Sequence, residues 1–449
     1  MTKMINQSKA LIFLLIFFNC SKETFDNWSS NNKIFKGELS WIKTFGGSNE
    51  DFAKTVIETY DGGIAIIGST NSTDGTIKDK NIPETDFWFL KLNSDGEILI
   101  NKTYGGSGDD RGQSLIEMLD GGFLLIGYSK SSDGDGSRNQ GFHDNWIIRI
   151  DFQGKIIWEK SVGFSGHDHA YSIIKTQDGG FFITGFLDVT ASNGAGDFEK
   201  EINSRHGVGE FWGHKLNSQG KIVWSRFFGG SNNDRSYDVI ETQEGGFIMV
   251  GSTESNDFDI SNNFGSYDFW VIKIDKKGTL IWEKNYGGSG IDIANSIEVL
   301  PNNNFLILGY SYSDDMQRVN SKGDSDFWLV EIDTNGNLIN DRSFGGSLFD
   351  SGQDICIGPS GSYFLTGFSQ SLDGDLNNNN GNNDITVFHI TPNSVPINTY
   401  TVGGSNSDLG FSSIFSSSGK LYIVGSTESK DLYFSNSFGE KDLFIAKYK

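Results

Sequence analysis

An all-β fold, a seven-bladed β-propeller with four antiparallel strands per blade, is predicted by three residue series that repeat in one register. A turn of the form aromatic-Gly-Gly-Ser begins at Phe45, Tyr104, Val162, Phe228, Tyr286, Phe344 and Val402. Three residues after each Ser position stands an aspartate: Asp51, Asp110, Asp168, Asp234, Asp292, Asp350 and Asp408. A glycine series (Gly68, Gly127, Gly185, Gly251, Gly309, Gly367, Gly425) and a series usually reading Asp-Phe-Trp keep step with it. The latter begins at Asp86, Asp144, Glu210, Asp268, Asp326, Asp384 and Asp442. The repeat length is 58 or 59 residues except in the third unit, which is longer.

Each unit reads as four strands bounded by Gly, Asn and Asp clusters. In the first, residues 52–59 form strand A, Asp61-Gly62-Gly63 turns the chain, and residues 64–69 form strand B. After a long loop, residues 86–92 form strand C. Its Trp88, Leu90 and Leu92 lie on one face and Phe87 and Phe89 on the other, so both faces are covered. Asn93-Ser94-Asp95-Gly96 leads into strand D, residues 97–104. The ends of the repeat array are offset. Residues 38–45, with Trp41 and Lys43, read as a lone strand D, and the seventh unit stops after its strand C. A closed ring uses this offset, because pairing the first strand with the last sheet removes two exposed edges. The propeller is therefore expected over 38–449.

The residues before it read as a leader. Lys3 and Lys9 precede an apolar run over 10–18 that is too short to span a bilayer and suits a signal-peptide core. Phe17-Phe18-Asn19-Cys20 resembles a bacterial lipobox, which implies a signal peptide over 1–19, lipidation of Cys20 and a flexible tether over 20–37. Asn19 departs from the usual small residue before the cysteine, and an ordinary cleaved signal is the alternative. With Cys20 so used and Cys356 on a strand A, no disulfide framework is available. A net charge of −22 argues against nucleic acid as a partner and suits an extracytoplasmic protein.

Asp275-Lys-Lys-Gly278, Trp282 and Tyr286-Gly287-Gly288-Ser289 resemble the tandem propeller repeats of bacterial secreted and outer-membrane lipoproteins, a group loosely described as lectin-like or quinoprotein-like. The resemblance covers 38–449 and implies the fold more than any activity. Asp151-Gly154-Trp158 and Asp275-Gly278-Trp282 are also similar to the tryptophan-docking motif of quinoprotein dehydrogenases. Asn340 and Asn398 stand where that motif has tryptophan, the vicinal cysteines are absent and the count is seven rather than eight, so dehydrogenase chemistry is not implied.

Candidate sites are sought on the face that gathers the D-to-A and B-to-C loops. The seven repeat aspartates recur in every blade, which favours a structural role at tight turns over a ring of ligands. Three B-to-C loops space oxygen side chains as a hard cation needs: Asp133, Asp135 and Asp144; Asp257, Asp259 and Asp268; Asp373, Asp375 and Asp384. Calcium is the candidate cofactor there, and polar loops that merely cap strands are the competing reading. Unit three breaks the pattern. Its B-to-C loop gains eight residues, and His143, His167, His169, His206 and His214 lie nearby in sequence. His143, His167, His169 and His206, with Asp168 between two of them, form a candidate zinc or other transition-metal set. No nucleophile elbow, phosphate loop or His-Glu-x-x-His is present. The expected function is a non-catalytic, lipid-anchored, monomeric propeller that binds a glycan or protein partner, at the outer membrane and touching it only through the anchor. A metal-assisted hydrolase or lyase at blades two and three is the alternative.

Overall fold

The computed structural model describes residues 35–197, 206–317 and 321–449; the signal segment and Cys20 lie outside them. Seven four-stranded antiparallel sheets form, one per repeat. In the first blade the strands are Asp51–Glu58, Ile64–Thr70, Asp86–Leu92 and Ile98–Tyr104, in spatial order A-B-C-D. Each bound lies within one residue of the sequence expectation. The seventh sheet is completed by Leu39–Phe45, which pairs antiparallel with Asp442–Tyr448, Lys43 opposite Ile445 and Thr44 opposite Phe444. Beyond the strand, Lys36 and Glu38 donate their backbone N–H groups to the Lys449 carbonyl, both at 3.1 Å.

Aromatic side chains hold the blades face to face. Strand C tryptophans Trp88, Trp146, Trp212, Trp270 and Trp328 are buried. The phenylalanine of one blade meets the tryptophan of the next edge-on: Phe87 to Trp146 at 4.9 Å and Phe211 to Trp270 at 4.4 Å. On the outer strands the docking motif works between blades. Gly278, at φ +82°, abuts Trp224 of the preceding blade, and the Trp224 indole N–H donates to the Lys276 carbonyl at 3.2 Å. Gly220 abuts Trp158 in the same way, and Gly96 abuts Trp41 of the closing strand. A Cβ at these left-handed positions would be strained and would collide with the indole.

Each strand A carries a bulge, at Lys54 in the first blade, where the register to strand B shifts between Ala53 and Thr55. At six of the seven boundaries the residue before strand C of one blade also forms a parallel bridge with the residue before the repeat aspartate of the next, as His143 does with His167 and Lys441 with Glu50. This bridge draws the B-to-C loop of one blade against the D-to-A turn of its neighbour, and it sets the site described below.

Deleting residues 38–46 removes the strand that pairs with Asp442–Tyr448 and exposes that edge. Thermal unfolding of the truncated chain should begin well below that of the full chain; equal melting temperatures would show that closure contributes nothing.

Candidate functional site

The seven repeat aspartates face inward. Asp234 accepts the Thr253 hydroxyl on one oxygen, and the Ser255 hydroxyl (2.8 Å) and the Gly230 N–H (2.7 Å) on the other. Asp51, Asp110, Asp292, Asp350 and Asp408 make the same three contacts with their own Ser or Thr pairs and glycine amides. The Ser/Thr-x-Ser segments after strand B, such as Thr253-Glu254-Ser255, are the partners that the sequence reading did not single out. Asp168 differs, because Leu187 and Val189 replace that pair, and it accepts the N–H groups of Phe164 (2.6 Å) and Asp188 (3.0 Å) instead. Burial pushes the Asp51 and Asp234 carboxyls up to about 6 against the pull of these hydrogen bonds.

The three acidic B-to-C loops cap turns. Asp133, Asp257 and Asp373 accept the N–H groups of Ser107, Ser231 and Ser347 at 2.7–2.8 Å. Asp135, Asp259 and Asp375 accept those of Gly105, Gly229 and Gly345, each at 3.2 Å. Asp144, Asp268 and Asp384 accept N–H groups of their own loops, from Gln140, Phe264 and Asn380. Asp144 lies against Gly163 of the following blade, away from Asp133, so one loop's carboxylates serve two blade boundaries.

The histidines divide. His143, at the end of the second B-to-C loop, and His167 and His169, flanking the start of the third strand A, bring one ring nitrogen each to within 4.8 Å of one another. Among the described residues this is the only such group of three or more His, Cys, Asp or Glu ligands. His206 lies elsewhere, with its Nδ1 3.3 Å from Glu210 Oε2 and its ring stacked on Phe258. His214 is buried between Ser225 and Asn145, and burial lowers it to about 3. Asp168 spends both oxygens on backbone N–H groups.

Contacts behind the cluster orient it. His143 Nδ1 stands 3.0 Å from His167 Nδ1, while its far nitrogen, Nε2, is 3.5 Å from Asp109 Oδ2. His169 places Nδ1 3.3 Å from the Tyr171 hydroxyl, and its buried Nε2 receives no hydrogen bond. Tyr128 stacks on His169 at 3.7 Å and Phe142 on His167 at 5.0 Å. Burial and the neighbouring imidazoles lower His169 to about 2, and burial and His143 lower His167. Burial alone would raise Asp109, but the facing His143 imidazole and the Arg111 guanidinium hold it at about 2. His167 and His169 are thus neutral and the Asp109 carboxylate is charged, the states in which imidazoles bind a transition metal and a carboxylate steadies one of them from behind.

A second departure from seven-fold symmetry lies in the central channel, a cavity of about 450 Å³. The bulge position presents Lys54, Gln113, Tyr171, Tyr237, Asn295, Gln353 and Phe411 to it: one ammonium, three carboxamides, two phenols and one phenyl ring. Three residues beyond the bulge, isoleucine stands in five blades, whereas blades five and six carry Glu298 and Cys356. Burial, then Asp238 and Asp354, push Glu298 up to about 8. Burial pushes the Cys356 thiol up too, so it is no nucleophile at neutral pH.

No family model and no curated protein matches the chain. Similar solved structures include the WD40 domain of Neurospora crassa Pan2, at 8% identity, TM-score 0.49, covering 91% of this chain and 96% of that one. A Bacteroides caccae protein of unknown function is similar at 10% identity and TM-score 0.40, covering 70% and 90%. A puromycin hydrolase is similar at 10% and 0.48, covering 85% and 51%. None bears on activity.

Glu298 yields a test in pH. Its folded value lies above its ordinary value of 4.5, so the folded state keeps a proton that the unfolded chain releases. The stability it contributes is full below pH 4.5, declines as pH rises towards about 8 and is exhausted above that. Glu298→Gln should flatten the fall in melting temperature between pH 5 and 8 relative to wild type; identical profiles would remove Glu298 as a contributor.

Proposed function

We propose that the chain is a non-catalytic binding propeller that meets a glycan or protein partner on its loop face, at a transition-metal site of blades two and three. The observation that carries this reading is the paired orientation of the cluster. Asp109 stands 3.5 Å behind His143 Nε2 and the Tyr171 hydroxyl 3.3 Å from His169 Nδ1, while one ring nitrogen of each of the three histidines lies within 4.8 Å of the others. Ligating histidines commonly have their second nitrogen fixed by a carboxylate or similar group. Phe142 and His167 are exposed beside the site, and stacked aromatic surface of this kind suits a sugar face or an apolar side chain.

Zinc is the probe. Calorimetry should show one zinc bound per wild-type chain, and the His167→Ala/His169→Ala double variant should lose that binding while melting near the wild-type temperature. Equal zinc binding by both, or by neither, sinks the metal site. A glycan and surface-protein screen, run with and without zinc, then tests the partner class.

Three protein ligands leave a coordination position open, which favours the second reading, a metal-assisted hydrolase or lyase. Zinc-dependent turnover of ester, phosphoester or glycoside substrates, lost in the double variant, would replace the binding reading.

The lipobox-like Phe17-Phe18-Asn19-Cys20 supports display at the outer membrane through a lipid on Cys20. Among the described residues no helix is long and apolar enough to cross a membrane. Cys20→Ser should move the protein from the membrane fraction to the soluble fraction and abolish labelling by a palmitate analogue; unchanged fractionation would exclude Cys20 as the anchor.

A further inference from the structure

We propose that the central channel binds a small hydroxylated carboxylate of the uronic-acid class, its anionic end held by Lys54, Gln113, Ser114 and Tyr128 on the wall of blades one and two. The polar side chains that line the channel divide by blade. On the far wall they are answered within the protein. The Ser172 hydroxyl donates to Asp238 at 2.8 Å and the Ser296 hydroxyl to Asp354 at 3.2 Å. The other oxygens of those two acids accept the N–H groups of Ile297 and Ser413, at 3.0 and 2.7 Å. Asn295 donates to the Gly352 carbonyl at 2.7 Å and Gln353 to the Ser351 hydroxyl at 2.8 Å.

Blades one and two leave theirs unanswered. Gln113 and Ser114 are buried, at 7% and 8% exposure, yet among the described residues no hydrogen bond reaches the carboxamide or the hydroxyl. The Tyr128 hydroxyl is equally without one, and Lys54 forms neither a hydrogen bond nor an ion pair. The Lys54 ammonium lies 4.4 Å from the centroid of the Phe411 ring. Burial, and then the Arg111 guanidinium, lower Lys54 to about 8, which leaves it an ammonium at neutral pH with no carboxylate to counter it. Arg111 is itself committed to Asp109 at 2.9 Å. A desolvated cation beside unpaired buried donors is costly, and one anionic ligand relieves all of them. Lys54 is the only charged residue among the seven bulge positions, so the ring holds this arrangement once.

The opposite wall selects what the anion carries. Asn295 and Gln353 turn their amide nitrogens into the protein, which leaves their carbonyl oxygens to accept ligand hydroxyls. Tyr171 and Tyr237, with ring centroids 5.3 Å apart, offer aromatic faces to the carbon–hydrogen bonds of a sugar ring. The cavity of about 450 Å³ falls within the roughly 300–1,000 Å³ of small-molecule sites. A lone ammonium, with the nearby guanidinium already paired, suits a carboxylate better than a phosphate dianion. No histidine of the metal site takes part, although Tyr128, stacked on His169, borders both places.

The test uses the full chain in EDTA, so that its outcome does not depend on the metal site. Calorimetry with glucuronate and galacturonate should show one site per chain, with glucose binding at least about tenfold more weakly. Lys54→Met, which keeps the length and removes the charge, should weaken the tighter uronate at least about tenfold and erase its advantage over glucose. Lys54→Arg, which restores the charge, should keep that advantage. Gln113→Leu should weaken uronate binding without lowering the melting temperature, since the carboxamide has no partner in the protein to lose. The proposal is overturned if neither uronate binds, or if glucose or inorganic phosphate binds as tightly as the better of them. It is equally overturned if Lys54→Met binds the uronates as wild type does.

Discussion

The structure depends on one buried contact, the carboxylate at the start of each strand A. In six of the seven blades it receives hydroxyls from the end of strand B and an amide from the turn before it, and in the third Asp168 takes two backbone amides, so one side chain joins a blade to the connection from its predecessor. Every other feature of the loop face is built on that turn. The acids of the B-to-C loops cap its amides, the residue before strand C bridges to it, and the paired acids at the boundaries face its first glycine. A buried carboxylate with three donors is stable where it stands, but deleting it would strand those donors out of reach of water.

Most of the fold was legible because a repeat multiplies each weak local signal by seven. The closing strand was legible from the offset ends, since Trp41 and Lys43 could only belong to a strand D whose blade lay elsewhere. The inter-blade role of Gly278 and Trp224 was not, because the motif reads as a local turn, Asp275 to Trp282. Its partner indole lies a whole repeat earlier, and only packing brings the two together.

The site was legible in part. That His143 would meet His167 and His169 followed from the meeting of B-to-C and D-to-A loops at a blade boundary. His206 shares the loop face but sits at the far side of its blade, beside Glu210 and Phe258, and spacing along the chain does not separate those two places. Asp109 and Tyr171 were invisible as supports for the histidines, since each occupies an ordinary repeat position. The acidic loops read two ways in the sequence, as a cation site or as polar turns that cap strands. Alternating oxygens suit a cation, yet in a tight turn the nearest positive groups are backbone amides, and Asp133 and Asp135 go to them.

Closure by the first strand also shapes how the chain comes to be folded. As the polypeptide lengthens, Leu39–Phe45 exists before any blade does, and its partner Asp442–Tyr448 arrives only after the other six blades. Blades one to six can form locally as they appear, each from a contiguous stretch of chain. The final sheet cannot, and bringing together segments roughly 400 residues apart carries the loop-closure entropy of the entire ring. Until then two strand edges stand open on a nearly finished disc, each able to pair with its counterpart on another molecule as readily as with its own. The interval between sixth-blade formation and ring closure is therefore the stretch of this protein's life in which it is most exposed to swapping and aggregation.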